Sequence, residues 1–139
     1  MKKKHINVMS KLLLGVYLIY LFYLVFLSPY YGRTTYHVSY NVIPFSTISE
    51  YAFLKYGIRN TIINIGGNIV AFMPLGFLLP LAYNKTNNYI KIFMLALITT
   101  CSIELLQYIY RVGTCDIDDI ILNLVGAMLG YILVKKIKI

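Results

Sequence analysis

Four long apolar runs constrain this chain more than any other feature of its sequence. They lie at about residues 12–28, 62–82, 92–110 and 119–134, and their lengths approach the ~17–25 residues with which a helix crosses a bilayer. Of the 139 residues, 59% are hydrophobic and 13% are charged, and a water-soluble fold of this size cannot bury so much apolar surface. The sequence therefore predicts an all-α integral membrane protein, a single domain over residues 1–139 that forms a four-helix bundle.

The basic residues flank the apolar runs. With the N-terminus in the cytoplasm, nine of the 13 Lys and Arg residues fall on the cytoplasmic side and four fall outside, namely Arg33, Lys55, Arg59 and Arg111. This distribution is the positive-inside pattern of membrane proteins. It predicts a multi-pass protein of the cell membrane with both termini in the cytoplasm, and the net charge of +8 does not indicate nucleic acid as a partner.

The long segment between the first two runs is rich in tyrosine, which suits the membrane interface. Within it, Thr47 and Glu50 have the spacing of a capping box and predict a short helix that Gly57 closes. The apolar side chains of that helix predict that it lies on the membrane surface. In the fourth run, Gly126 and Gly130 predict close contact with another helix. Cys101 and Cys115 are expected to be free thiols.

Polar side chains recur on one helical face of three runs. They are Asn60, Asn64 and Asn68; Glu104, Gln107 and Arg111; and Asp116, Asp119 and Asn123. At 1.5 Å per residue, Asn68 lies ~12 Å along its helix, Glu104 ~10 Å below Arg111 and Asn123 ~10 Å below Asp116. We therefore expect Asn68, Glu104 and Asn123 to meet at one depth in the outer half of the membrane. The other residues would lie above them, in a polar funnel open to the outside.

Two interpretations of these residues compete. In the structural one, the amides are interhelical hydrogen-bonding groups worth under ~1 kcal/mol each, the aspartates cap the fourth helix, and Arg111 pairs with one of them. Glu104 favours a functional site, because a carboxyl at that depth costs ~2.5–3.5 kcal/mol and is rarely kept without a role. Either burial keeps it protonated, or Arg111 and the asparagines stabilise its charge.

Four segments resemble the VanZ-like family, named after a teicoplanin-resistance protein of Gram-positive bacteria. They are residues 41–45 (NVIPF), 68–77 (NIVAFMPLGF), 103–107 (IELLQ) and 111–123 (RVGTCDIDDIILN). The resemblance covers about residues 33–134, with Cys115 standing where an aromatic residue is usual. It implies a multi-span protein of the cell envelope and lowered sensitivity to teicoplanin, a glycopeptide that binds cell-wall precursors outside the membrane. The family's motif residues fall on Asn41, Pro44, Asn68, Pro74, Gly76, Glu104, Gln107, Arg111, Asp116, Asp118, Asp119 and Asn123.

The leading hypothesis is a protein that acts at the outer leaflet on a lipid-linked or anionic cell-wall intermediate. Glu104 would be the acid or base, and Asp116 and Asp119 would supply charge or oxygen ligands for a hard cation such as Mg²⁺. The expected ligand-binding residues are Asn64, Asn68, Gln107, Arg111, Asp118, Asn123 and Arg33, with the arginines on phosphate or carboxylate. No cofactor is indicated.

The alternative is a non-enzymatic accessory module that binds glycopeptide, lipid or a cell-wall partner through its tyrosine-rich outer loop. A transporter is less favoured, because four spans without inverted repeats would need an oligomer to form a pathway.

Overall fold

The computed structural model describes residues 2–28 and 39–137, and helices dominate it. Four helical stretches are long and apolar enough to cross a membrane: Lys4–Leu27, Ile58–Ala82, Tyr89–Tyr110 and Ile117–Lys136, here called spans 1 to 4. The predicted all-α bundle with four membrane helices is therefore confirmed. Span 1 begins eight residues before the predicted start because the lysines ahead of the apolar run continue the helix, as good helix formers do.

Most elements belong to the spans. Span 1 is α1 (Lys2–Phe22) with a π-helical turn, Tyr23–Leu27; span 2 is α3 (Ile58–Thr61), a π-helical turn (Ile62–Gly66) and α4 (Gly67–Ala82); span 3 is α5 (Tyr89–Tyr110); span 4 is α6 (Ile117–Lys136). The others are strand β1 (Ser39–Asn41), helix α2 (Ser46–Ala52), a short 3₁₀ turn (Asn84–Thr86) and strand β2 (Thr114–Asp116).

A parallel pairing of β1 with β2 is the part of the fold that the sequence did not predict. Ser39 pairs with Thr114, Tyr40 with Cys115 and Asn41 with Asp116. The pairing fixes the chain ahead of α2 to the turn between spans 3 and 4. We call this end of the bundle the strand end, and the opposite end, which carries Lys4, Lys85 and Lys136, the lysine end.

Spans 2 and 4 approach each other closely because glycines line their contact. A Cβ atom on Gly126 would overlap the carbonyl oxygen of Ile69, and one on Gly130 would overlap that of Met73. Gly76 lies in the same way against the carbonyl of Ala127. The predicted role of Gly126 and Gly130 in close helix contact is confirmed, and packing of this kind drives helix association in membranes.

Side-chain hydrogen bonds join span 1 to span 2 at two levels. At the lysine end, Asn7 Nδ2 donates to the carbonyl oxygens of Leu81 (3.2 Å) and Ala82 (2.8 Å), which are among the last carbonyls of a helix and lack helical donors. Near the middle, Tyr17 Oη donates to the carbonyl oxygen of Ala71 at 2.8 Å. These bonds set the distance between spans 1 and 2 over their lysine-end halves.

Replacing Gly130 with alanine tests the contact between spans 2 and 4. The added methyl would meet backbone atoms, and overpacking of this kind costs about 1–3 kcal/mol. Gly15→Ala is the matched control, because a Cβ at Gly15 has no atom within 4 Å. We expect SDS titration of the purified protein, followed by circular dichroism, to show earlier unfolding for Gly130→Ala only. Equal midpoints for the two variants would contradict the packing described.

Candidate functional site

A small polar cavity lies among the four spans, in their strand-end halves. Its polar wall comes from spans 2, 3 and 4, and half of its apolar lining residues come from span 1. The lining residues are Asn68, Glu104, Gln107, Asp119 and Asn123, with Leu21, Leu24, Val25, Ala71, Phe72 and Ile103. The cavity has a volume of about 40 Å³, room for about three water molecules at ~10–15 Å³ each. Five of the residues selected from the sequence therefore surround one space.

Hydrogen bonds between spans hold the amides of this wall. Asn68 Nδ2 donates to Asp119 Oδ1 at 2.6 Å, which joins span 2 to span 4. Asn123 Nδ2 donates to Thr100 Oγ1 at 2.8 Å, which joins span 4 to span 3. The oxygen of the Asn123 amide, Oδ1, is buried and has no hydrogen-bond partner among the described residues. The cavity wall thus includes an amide whose hydrogen-bonding capacity the described residues do not fill.

Glu104 is only 3% exposed, and its Oε2 accepts the backbone N–H of Asp116 at 3.0 Å. Gln107, one turn further along span 3, donates from Nε2 to the carbonyl oxygen of Val25 in span 1 at 3.2 Å. Thr100, fully buried, was missed by the sequence analysis. Its position four residues before Glu104 places it on the same helical face, and this spacing could have revealed it.

Asp116 lies outside the cavity lining and holds the strand end together. It caps span 4 by accepting the N–H of Asp118 at 2.9 Å. Its carboxylate also accepts from Asn41 Nδ2 at 3.0 Å and from Thr47 Oγ1 at 2.6 Å. These three bonds favour the structural interpretation of Asp116, and its role as a catalytic or cation-binding residue stays a prediction without support from its contacts.

Asp118 is fully buried and binds the beginning of α2. It accepts the backbone N–H groups of Phe45 (2.6 Å) and Ile48 (3.0 Å). The predicted capping box of Thr47 and Glu50 is therefore wrong, because α2 begins at Ser46 with Phe45 as its N-cap, which places Thr47 inside the helix. A carboxylate from span 4 binds the N–H groups at this helix terminus instead.

The residues of the predicted box have other partners. The Thr47 hydroxyl binds Asp116, and Glu50 binds Lys55 (2.5 Å) and Tyr56 (2.8 Å). The hydrogen bond from Lys55 is the main cause that lowers the pKa of exposed Glu50, and an exposed pair of this kind adds little stability. Gly57 does not close α2, because that helix ends at Ala52. Gly57, with a positive φ of 82°, is instead the N-cap residue of span 2.

Two predicted ligand-binding residues of the described chain, Arg111 and Asn64, do not line the cavity. Arg111 ends span 3 in the left-handed conformation, and its exposed side chain makes no ion pair with any carboxylate in the described part of the chain. Asn64 is half-buried in the π-helical turn of span 2, and no residue in the described part of the chain bonds to its Oδ1. Arg33 lies outside the described residues. The expected pairing of Arg111 with an aspartate is therefore absent within residues 39–137.

Carboxyl groups are the chemically active groups that the cavity offers. The two cysteines are free thiols, as expected. Burial raises the pKa of the Cys115 thiol, and the charges of Glu104 and Asp116 raise it further, so this thiol stays protonated and is a poor nucleophile. Among residues 2–28 and 39–137, no three His, Cys, Asp or Glu side chains are grouped as metal ligands. The arrangement suits acid–base chemistry or the binding of hydrogen-bond donors.

The fold and the cavity together define a class: a multi-pass α-helical membrane protein whose polar residues gather near one end of a four-span bundle. A profile of the VanZ/LLP1 family matches residues 14–138. The chain is also 31% identical over 128 residues to Protein VanZ of Enterococcus faecium, which covers 89% of this chain and 72% of that protein. No solved structure matches. The chain therefore belongs to the VanZ/LLP1 family, and the resemblance seen in its motifs is confirmed.

Asp118→Asn tests how α2 is held. The asparagine keeps one acceptor but turns an N–H₂ toward the second backbone donor. Because hydrogen bonds to a charged group contribute about 1.5–3 kcal/mol, amide exchange at Phe45 and Ile48 should accelerate by about 10- to 100-fold. Hydrogen–deuterium exchange measures this rate. Glu50→Gln, which breaks only the exposed pair, should leave both amides protected; equal acceleration in the two variants would show that Asp118 does not cap α2.

Proposed function

We propose that this VanZ/LLP1 protein acts at the extracytoplasmic leaflet on a lipid-linked component of the cell envelope, with Glu104 as its central acid or base. The observation that carries the proposal is the burial of Glu104 at a cavity that it shares with Asp119 and Asn123. Ionisable side chains inside a membrane span are costly and mark functional sites. Simple packing of spans 3 and 4 would be served better by leucine.

The orientation in this proposal rests on the basic residues. In the described part of the chain, the lysine end carries Lys4, Lys11, Lys85, Lys91, Lys135 and Lys136, whereas the strand end carries Lys55, Arg59 and Arg111. The positive-inside rule then directs the strand end out of the cytoplasm. The cavity would lie in the outer half of the bilayer, close to the side on which glycopeptides meet cell-wall precursors. Lowered susceptibility to teicoplanin-type glycopeptides is the corresponding cellular effect.

The chemistry proposed is proton transfer to or from a group that enters the cavity. Each of the two carboxyls has a hydrogen-bond donor of its own, since Asp119 accepts from the Asn68 amide and Glu104 from the backbone N–H of Asp116. Different surroundings allow one carboxyl to act as an acid and the other as a base. The Asn123 amide, whose Oδ1 has no partner within residues 2–28 and 39–137, would orient a hydroxyl or amine of the ligand. A cavity of about 40 Å³ admits only the reacting end of a larger molecule.

A non-enzymatic accessory role is the second candidate, and the strand end favours it. Phe45 and Phe53, at the two ends of α2, are exposed, with Phe53 86% exposed. Exposed aromatic side chains outside the spans suit a membrane surface or a protein partner. In this account the Glu104 bond to Asp116 only stabilises β2, and the surface of α2 binds the cell-wall partner.

Glu104→Gln separates these functions. Glutamine can still accept the Asp116 N–H but cannot exchange a proton, so the fold should persist while activity falls by about 10²-fold or more, the usual contribution of an acid or base. We expect cells that express this variant to be as sensitive to teicoplanin as cells without the protein.

The controls are exposed residues. Cys101→Ser, on span 3, should keep full activity, and Phe53→Ser tests the accessory surface. Wild-type protection by Glu104→Gln at equal membrane levels, together with loss in Phe53→Ser, would favour the accessory role.

The orientation has its own test. Lys55→Cys at the strand end and Lys85→Cys at the lysine end are placed singly in a chain that lacks Cys101 and Cys115. A membrane-impermeant maleimide added to intact cells should label the residue-55 variant, and the residue-85 variant should react only after the membrane is permeabilised. The reverse labelling pattern would place the cavity in the cytoplasmic half.

A further inference from the structure

A second, larger space lies between spans 1 and 2. It begins near the hydrogen bond between Tyr17 and Ala71 and runs toward the strand end, between Tyr20 and Leu24 on one side and Gly67 and Val70 on the other. Its volume is about 560 Å³, within the ~300–1,000 Å³ range of ligand pockets. We call this space the lateral groove.

The lateral groove lies beyond the region in which hydrogen bonds join the two spans. Asn7 and Tyr17 tie span 1 to span 2 from the lysine end to the middle. Beyond Tyr17, Gly67 offers no side chain to fill the space between the helices. The groove therefore opens sideways at the depth of the polar cavity, where a membrane-embedded protein meets hydrocarbon rather than water.

The lateral groove and the polar cavity share a wall. Leu21, Leu24 and Ala71 line both spaces. A third space, of about 380 Å³ on spans 3 and 4, is lined only by apolar residues such as Val125 and Met128 and has no wall in common with the cavity. The third space is thus an ordinary lipid-facing surface, whereas the lateral groove lies directly beside a polar site.

We propose that the lateral groove holds the hydrocarbon chain of a membrane lipid whose polar end donates hydrogen bonds into the cavity. The groove is apolar over most of its wall, and Val70 within it is 64% exposed. The cavity is lined by the Asn123 amide and by the carboxyl groups of Glu104 and Asp119, all of which contain hydrogen-bond acceptors. Such a wall selects a hydroxyl or ammonium group over one without donors.

The inference rests on the proposed function and deepens it, since it names the route by which a lipid would reach Glu104: sideways from the leaflet, between spans 1 and 2. The small cavity volume is consistent with this route, because only the donor group has to enter it. The chain remains in the groove.

Photo-crosslinking tests the groove directly. A benzophenone amino acid replaces Val70 in the groove or Val125 on the third space, a matched pair of partly exposed valines (64% and 43% exposed). Each protein is reconstituted in vesicles of equal parts phosphatidylcholine, phosphatidylethanolamine and phosphatidylglycerol, and the attached lipids are identified by mass spectrometry. The ethanolamine lipid supplies ammonium donors, the glycerol lipid supplies hydroxyl donors, and the choline lipid supplies neither.

At position 70 we expect a donor-bearing lipid to exceed phosphatidylcholine by about fivefold or more, the factor expected of one hydrogen bond. At position 125 the captured lipids should follow the vesicle composition. The lipid that dominates at position 70 then distinguishes ammonium from hydroxyl recognition. Equal capture of all three lipids at position 70, or a preference for phosphatidylcholine, overturns the proposal.

A second pair of variants separates this inference from the proposed function. With the benzophenone at Tyr20, Val70→Trp should fill the groove and reduce lipid capture, whereas Val125→Trp should not; equal capture in the two would overturn the groove. If lipid selectivity holds but Glu104→Gln retains full activity, the groove stands and the acid–base role fails. If lipid capture is unselective but Glu104→Gln is inactive, the acid–base role of Glu104 stands and the groove proposal fails.

Discussion

Two buried carboxylates at the beginning of span 4 hold the strand end of this protein in place. Asp116 accepts donors from Asn41, Thr47 and the backbone of span 4, and Asp118 accepts two backbone N–H groups at α2. Charges removed from water are tolerated only when hydrogen bonds satisfy them, and here the satisfying groups come from a segment about 70 residues away. The segment between β1 and α2 is therefore bound to the same helix terminus from which Asp119 and Asn123 enter the cavity.

The aspartates of the Asp116–Asp119 motif consequently differ in what they do. Asp116 and Asp118 bind the polypeptide, whereas Asp119 lies on the cavity wall with Glu104. The backbone N–H of Asp116 connects the two sets by donating to the Glu104 carboxyl. A loss of function on replacing Asp116 or Asp118 would thus report a disturbed scaffold, and only the cavity residues can report on chemistry.

Hydrophobic length and helical spacing predicted much of this architecture. The four spans, the glycine contact of span 4 and the convergence of Asn68, Glu104 and Asn123 all depend on residues a few turns apart on a helix. The β1–β2 pairing and the capping of α2 by Asp118 depend on residues brought together only by the tertiary fold, and a local capping pattern at Thr47 and Glu50 was misleading for that reason. Arg111 was assigned to the site by its spacing, but the left-handed end of span 3 leaves its side chain exposed.

The central claim is that Glu104 performs proton chemistry on an envelope lipid or cell-wall precursor. A mass-spectrometric comparison of lipids and wall precursors tests it most directly, in cells that lack the protein, express it, or express Glu104→Gln at equal membrane levels. The account predicts a lipid or precursor species that appears or disappears when the wild-type protein is expressed. In cells that express Glu104→Gln, the level of this species should equal that in cells without the protein. Identical lipid and precursor profiles in all three strains, or the same altered species with Glu104→Gln as with the wild type, would contradict it.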